Sequence, residues 1–194
     1  SSGAARISLA DLGRTIYYRV NELPNDVLPE LIASRHFRVT DYPFVFTNGA
    51  MATYLEVDPD TGFIELLDFW VVEDCGRVIN PKLVDEQIRG GVVQGIGGAL
   101  YEKCLYSDEG QLLKTTMADY LVPMAYEMPD IKVDHVETPT RTSELGAKGA
   151  GEAGTGGAPA AILNAVNDAL RPLSARIDHQ PISPERVLTA LGKV

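Results

Sequence analysis

The stretch Gly149-Ala-Gly-Glu-Ala-Gly154 sets one carboxylate inside a run of glycines that leads into an apolar helical pattern. Two chemistries compete for such a loop. Its spacing satisfies G-x-G-x-x-G, with which a backbone folds tightly round a pyrophosphate at a helix N-terminus. A dinucleotide site also needs a buried strand before the loop. The preceding residues, TPTRTSELGAK, are polar and broken by proline. The charge of Glu152 would moreover oppose a phosphate docked on amide donors. Lys148 does not make a Walker loop, since its glycine spacing is wrong and no Ser or Thr follows it. The other chemistry uses Glu152 itself. Glycines let the backbone close round a ligand, and a helix N-terminus favours a nearby anion. A carboxylate kept there in a dry cavity has its pKa raised and becomes a general base. The plain alternative is a solvated loop glutamate.

A second glycine-rich element, GGVVQGIGGA over 90–99, lies within a helical pattern spanning 81–104. Each interior glycine costs a helix about 1 kcal/mol relative to alanine. Gly91, Gly95 and Gly98 fall on one helical face, so something approaches that backbone closely. Another helix or a ligand would serve equally.

The elements that position these loops follow from periodicity. Residues 7–20 read as a helix opened by Ser8-x-x-Asp11, and 22–29 as a proline-broken loop. FVFTNGAMATYLEV and FIELLDFWVV flank Asp58-Pro-Asp-Thr-Gly62 and predict a β-hairpin. A calcium loop is not expected there, because the glycine comes too early and the twelfth position lacks a ligand glutamate. Strands are expected over 112–122, 131–138 and around 175–179. After the glycine loop, Ala158, Ala161, Ile162, Ala165, Val166 and Ala169 form one apolar stripe, with Pro159 in the first turn. A last helix opens at Ser183-Pro184-Glu185. Strands mixed irregularly with helices predict an α+β fold rather than a βαβ array.

Composition narrows the function classes. The 194 residues suffice for a real core, and 45% apolar with 23% charged residues is ordinary for a globular chain. The net charge of -10 argues against a nucleic-acid surface. No apolar run is long enough to span a bilayer, and the opening SSGAAR reads as a cut end. Two cysteines, Cys75 and Cys104, supply neither a disulfide framework nor four thiolates, which points to a reducing cytoplasm. Cys104 reads as core filler, Trp70 as a core or sheet residue, and Glu73–Asp74 as a solvated strand end. His36, His135 and His179 lack metal-ligand spacing.

Two long blocks, DCGRVINPKLVDEQIRGGVVQGIGGALYE (74–102) and LGAKGAGEAGTGGAPAAILNAVNDAL (145–170), closely resemble the molybdenum hydroxylases. These are the xanthine dehydrogenase, aldehyde oxidoreductase and carbon monoxide dehydrogenase large subunits. The resemblance runs from about Ile7 to the end and covers the C-terminal part of a molybdopterin-binding subunit. It implies a fragment, 1–194, in which any division into two lobes falls near 105–115. It also implies oxidation of an aldehyde, purine or N-heterocycle with water-derived oxygen and hydride passed to a molybdenum sulfido group. Glu152 matches the family's base beside the metal. Gln94 and Gly95 match pterin contacts, and Gly151, Gly154 and Thr155 match cofactor lining. Cys75 and Asn80 belong to a block that either supports the cofactor or touches it. No side chain ligates the metal by this resemblance. The implied cofactor is molybdopterin with molybdenum, in the cytosine dinucleotide form. The implied partners are the rest of the subunit, 2Fe-2S and FAD domains or subunits, and a small-molecule substrate. The alternatives are an inert structural fragment and a dinucleotide-binding module.

Overall fold

A computed structural model of the chain describes residues 7–39 and 44–194; the opening SSGAAR lies outside them. The chain forms two compact units, Ser1–Arg38 and Val39–Val194, and the segment 105–115 lies within the second. The first unit carries helix α1, Leu9–Tyr18. Ser8 caps it as its spacing predicts: the Asp11 amide donates to Ser8 Oγ at 3.1 Å, and Ser8 Oγ donates to the Asp11 carboxylate at 2.7 Å. A single 3-10 turn, Val20–Glu22, precedes the proline-broken segment.

The second unit is built on a three-stranded sheet in the order β1-β2-β3. Strands β1 (Asn48–Val57) and β2 (Ile64–Asp74) form the expected antiparallel hairpin, and β3 (Ile131–His135) joins β2 in parallel. The hairpin turn is organised by Asp58, which accepts from the Asp60 amide at 2.8 Å and the Thr61 hydroxyl at 2.7 Å. Gly62 sits at φ 76°, and a Cβ there would overlap the Pro184 carbonyl.

Helix α2 (Pro81–Leu100) packs on α3 (Ala153–Leu170), and α3 packs on β1. Asn80 caps α2, and Pro81 takes its first position, where a missing N–H is harmless. The core gathers Phe69 and Val71 from β2, Ile88, Val92 and Ile96 from α2, and Ile162, Val166 and Leu170 from α3, all essentially buried. The short helix α4 (Pro184–Ala190) adds Val187 and is capped by Ser183, which accepts from Arg186 at 3.3 Å. The architecture is α+β.

Several local expectations give way. The stretch 112–122 is not a strand; Leu112 makes one isolated bridge to Tyr106. Thr116 takes up the following backbone instead, its carbonyl accepting from Asp119 and Tyr120 and its hydroxyl from Ala118. Residues 175–178 form no strand, and the Asn167 side chain takes the hydrogen bonds a neighbouring strand would make. It accepts from Ile177 N and donates to Ile177 O, both at 2.8 Å. Helix α2 ends at Leu100, with the Tyr101 and Glu102 amides both turned onto Gly97 O, so Cys104 is exposed rather than core. Strand β3 stops at His135 rather than 138. Trp70 is a sheet residue as expected, on the outward face of β2, 39% exposed, under the Lys132 ammonium at 5.0 Å from its ring centre. Helix α3 begins at Ala153, so the glycines 154–157 form its first turns and Pro159 lies inside it. Packing on α2 overrides their poor propensity.

Candidate active site

The early start of α3 decides where Glu152 stands. It is the residue just before the helix, exposed, and its side chain makes no capping hydrogen bond. A cleft of about 720 Å³ opens beside it, between the start of β1 and the first half of α3. Asn48, Gly49 and Glu73 line one side, and Gly151, Glu152 and Gly156 the other. A Cβ on Gly149, Gly151 or Gly156 would meet nothing within 4 Å, so these glycines present bare backbone to the cleft. Gly157 instead makes room for Met51, whose sulfur lies 3.0 Å from where its Cβ would be.

The loop leading to Glu152 is anchored by a buried polar cluster. Asp74, 7% exposed at the end of β2, accepts from Gly76 N at 2.9 Å, Thr138 N at 3.0 Å and Lys148 Nζ at 3.0 Å, and from the Thr138 hydroxyl. The Thr138 hydroxyl, with the Thr138 amide, Lys148 and Gly76 assisting, holds the Asp74 carboxyl well below the usual carboxylate range. Lys148 also donates its amide to Cys75 O at 2.7 Å, and Gly76 and Ala147 form a bridge. Farther along, Gln87 of α2 donates to Gly151 O at 2.7 Å. The strand end and α2 thus grip both sides of the glycine loop. Cys75 is buried, and burial pushes its thiol upward, away from thiolate chemistry.

Glu73 is the residue that the sequence reading misplaces. It is not a solvated strand end: only 3% of it is exposed. Along β2 the buried residues Phe69, Val71 and Glu73 alternate with the exposed Trp70 and Val72, so the period of two carries Glu73 inward. The sequence there, Phe-Trp-Val-Val-Glu, runs four apolar residues together and so gives no sign of which face Glu73 takes. Burial pushes the Glu73 carboxyl up to about 7, with His135 lowering it and Asp74 raising it.

The other predicted site residues fall in two groups. Glu152 and Gly151 line the cleft. Gly95 and Gly154 form the crossing of α2 and α3, where a Cβ on Gly95 would lie 2.7 Å from Ala158 Cβ and one on Gly154 would overlap Ile88 O. Gln94 and Thr155 meet at the edge of that crossing, the Thr155 hydroxyl donating to Gln94 Oε1 at 3.4 Å. Of the three glycines expected on one contact face, Gly91 and Gly95 touch α3, and Gly98 faces open space. Another helix, then, occupies the face that the spacing left open between helix and ligand. The dinucleotide reading loses its support as well, since residues 136–152 contain no strand, only the bridge at Ala147. Among the described residues no group of three His, Cys, Asp or Glu side chains could hold a metal ion.

Residues 3–129, well over half of the chain, match the molybdopterin cofactor-binding domain family. The chain belongs to that family. It is 43% identical over 190 residues to the nicotine 6-hydroxylase large subunit of Paenarthrobacter nicotinovorans, covering 97% of this chain and 23% of that one. It is 32% identical over 155 residues to the carbon monoxide dehydrogenase large chain of Afipia carboxidovorans, covering 80% and 19%. Among solved structures, quinoline 2-oxidoreductase from Pseudomonas putida 86 superposes with a TM-score of 0.77 at 40% identity, over 92% of this chain and 22% of that one. The resemblance to molybdenum hydroxylase large subunits stands on these matches, and the chain spans under a quarter of the length of the relatives it matches.

Proposed function

We propose that this chain supplies the general base and one wall of the cofactor cleft in a molybdopterin-dependent hydroxylase, with Glu152 as the base. The observation that carries the reading is the position of Glu152: an uncapped carboxylate at the N-terminus of an 18-residue helix, beside a cleft faced by bare glycine backbone. The residues present fit a bulky, polar cofactor. Gly149, Gly151 and Gly156 leave open the space that side chains would fill, and the buried Glu73 carboxyl, which takes no hydrogen bond among the described residues, also lines the cleft. When bound, molybdopterin supplies the redox centre that takes up the electrons of the oxidation.

The chain's own residues do the rest. Glu152 stands at the cleft with no hydrogen bond from its side chain to the helix it precedes, so its carboxylate oxygens are free to meet a proton donor. The Asp74–Lys148–Thr138 cluster and the Gln87 bond to Gly151 fix the loop on either side of it, which keeps that oxygen in place. Gln94 and Thr155, hydrogen-bonded to each other at the edge of the crossing, are the residues this reading assigns to the cofactor's edge. The cytosine dinucleotide form of the cofactor, with 2Fe-2S and FAD carried on other domains or subunits, completes the reading. The substrate class it favours is an electron-poor N-heterocycle: the 43% and 40% identical relatives are named for nicotine and quinoline. The test is Glu152→Gln in the complete enzyme, which removes the base but keeps the shape. Loss of turnover with retained cofactor supports the assignment, and near-normal turnover defeats it.

A further inference from the structure

The Glu152 reading leaves a second carboxyl in the same cleft without a role. Glu73 lines the same cleft as Glu152 and is 97% out of solvent. Among the described residues no side chain or amide hydrogen-bonds its carboxyl, whose oxygens are not among the fully enclosed unpaired atoms and so open onto the cleft. The groups around it give it no hydrogen bond. On β3, its register partner His135 turns Nε2 to Asp85 of α2 at 2.6 Å and keeps its buried Nδ1 unpaired. On its own strand, Asp74 is satisfied by Thr138, Gly76 and Lys148, and Lys148 is spent on Asp74 and Thr138. From β1 its register partner is Gly49, which has no side chain; a Cβ there would overlap the carboxyl itself. Gly49 therefore keeps the carboxyl at the cleft surface, and the cleft is where its missing partner can come from.

We infer that Glu73 is a ligand contact: its carboxyl, in the neutral form, donates a hydrogen bond to an acceptor atom of the molecule that fills the Glu152 cleft. This rests on the reading of that cleft as the cofactor site. Burial already brings Glu73 to about 7, so near neutrality a large fraction carries the proton a donor needs. A bound acceptor favours that form further. The two carboxyls of the cleft then divide their tasks by environment: Glu152, exposed at a helix N-terminus, accepts a proton, and Glu73, buried beside Asp74, holds one.

The test uses the complete cofactor-loaded enzyme in three forms: wild type, Glu73→Gln and Glu73→Leu. Molybdenum and pterin retained after dilution are measured from about pH 6 to about pH 9, on either side of the Glu73 pKa of about 7. Wild type is expected to lose cofactor about tenfold faster at the alkaline end, the equivalent of one hydrogen bond. Glu73→Gln, which keeps an N–H donor that does not titrate, retains cofactor equally at both ends. Glu73→Leu loses it about tenfold faster throughout. Infrared spectra of wild type at the acid end should contain a protonated-carboxyl band that Glu73→Gln lacks, and this decides the matter if the leucine variant does not fold. Retention in wild type that ignores pH, or a band that persists in Glu73→Gln, overturns the inference. Neither outcome touches the cleft reading, which fails only if Glu152→Gln turns over normally.

Discussion

The crossing of α2 and α3 makes a prediction in which two glycines three residues apart on one helix respond with opposite signs. At Gly95, a Cβ would lie 2.7 Å from Ala158 Cβ, 3.1 Å from Pro159 Cδ and 3.1 Å from Thr155 O. Carbon atoms pack at about 3.5–4.0 Å, so the helices must part by roughly 1 Å. None of the three neighbours can yield by rotation: one is a methyl fixed to the backbone, one a proline ring, one a carbonyl. Overpacking of this kind costs typically about 1–3 kcal/mol, against which alanine recovers about 1 kcal/mol of helix propensity. Gly95→Ala should therefore destabilise the chain by up to about 2 kcal/mol, toward the upper end because the 2.7 Å contact is with a fixed methyl. At Gly98 a Cβ meets nothing within 4 Å, and Gly98→Ala should stabilise by about 0.5–1 kcal/mol through propensity alone. Thermal unfolding of the 194-residue chain reads both, at roughly 2–4 °C per kcal/mol for a chain of this size. Shifts in the same direction would refute the reasoning, as would a Gly95→Ala chain with an unchanged melting temperature.

Three further outcomes follow from the polar groups and the cleft. Lys148→Met strips the buried Asp74 of its cation, with both side chains no more than 10% exposed, and should cost about 3–5 kcal/mol in denaturant titration. Because the folded Asp74 pKa is depressed, its stabilisation is present above the ordinary carboxylate range and is lost as pH falls below it, so the penalty of Lys148→Met should fade in acid. Glu73 has the opposite sign: with a folded pKa raised to about 7, wild-type stability should fall as pH rises from about 4.5 through 7, by up to roughly 3 kcal/mol, and Glu73→Gln should abolish that slope. The purified 194-residue chain should contain no stoichiometric molybdenum by elemental analysis, because most of the subunit length of its relatives is outside it.

Elements whose residues decide their own conformation were legible in the sequence. The Asp58 turn, the Ser8 and Ser183 caps and the two long helices all rest on local chemistry, and all are present. Some misses come from a distant partner and others from a local hydrogen bond that the pattern hides, as at Thr116. The stretch around Ile177 has the residues of a strand, yet Asn167 supplies the hydrogen bonds. The glycines after Glu152 look like loop, but α2 packs against them and makes them helix. Cys104 continues an apolar pattern that the Gly97 carbonyl ends three residues after that glycine, at Leu100. At the site, Glu152 stood out because glycine spacing is a local signal. Glu73 did not, because its burial depends on Gly49 lying across the hairpin and on the cleft behind it.

The central claim is that Glu152 takes the proton in the cleft. Turnover and molybdenum content of the complete enzyme carrying Glu152→Gln test it in one preparation. The account predicts cofactor content equal to wild type and turnover lower by at least about 100-fold, the lower range of general-base contributions. Turnover within a few-fold of wild type at full cofactor occupancy would contradict it.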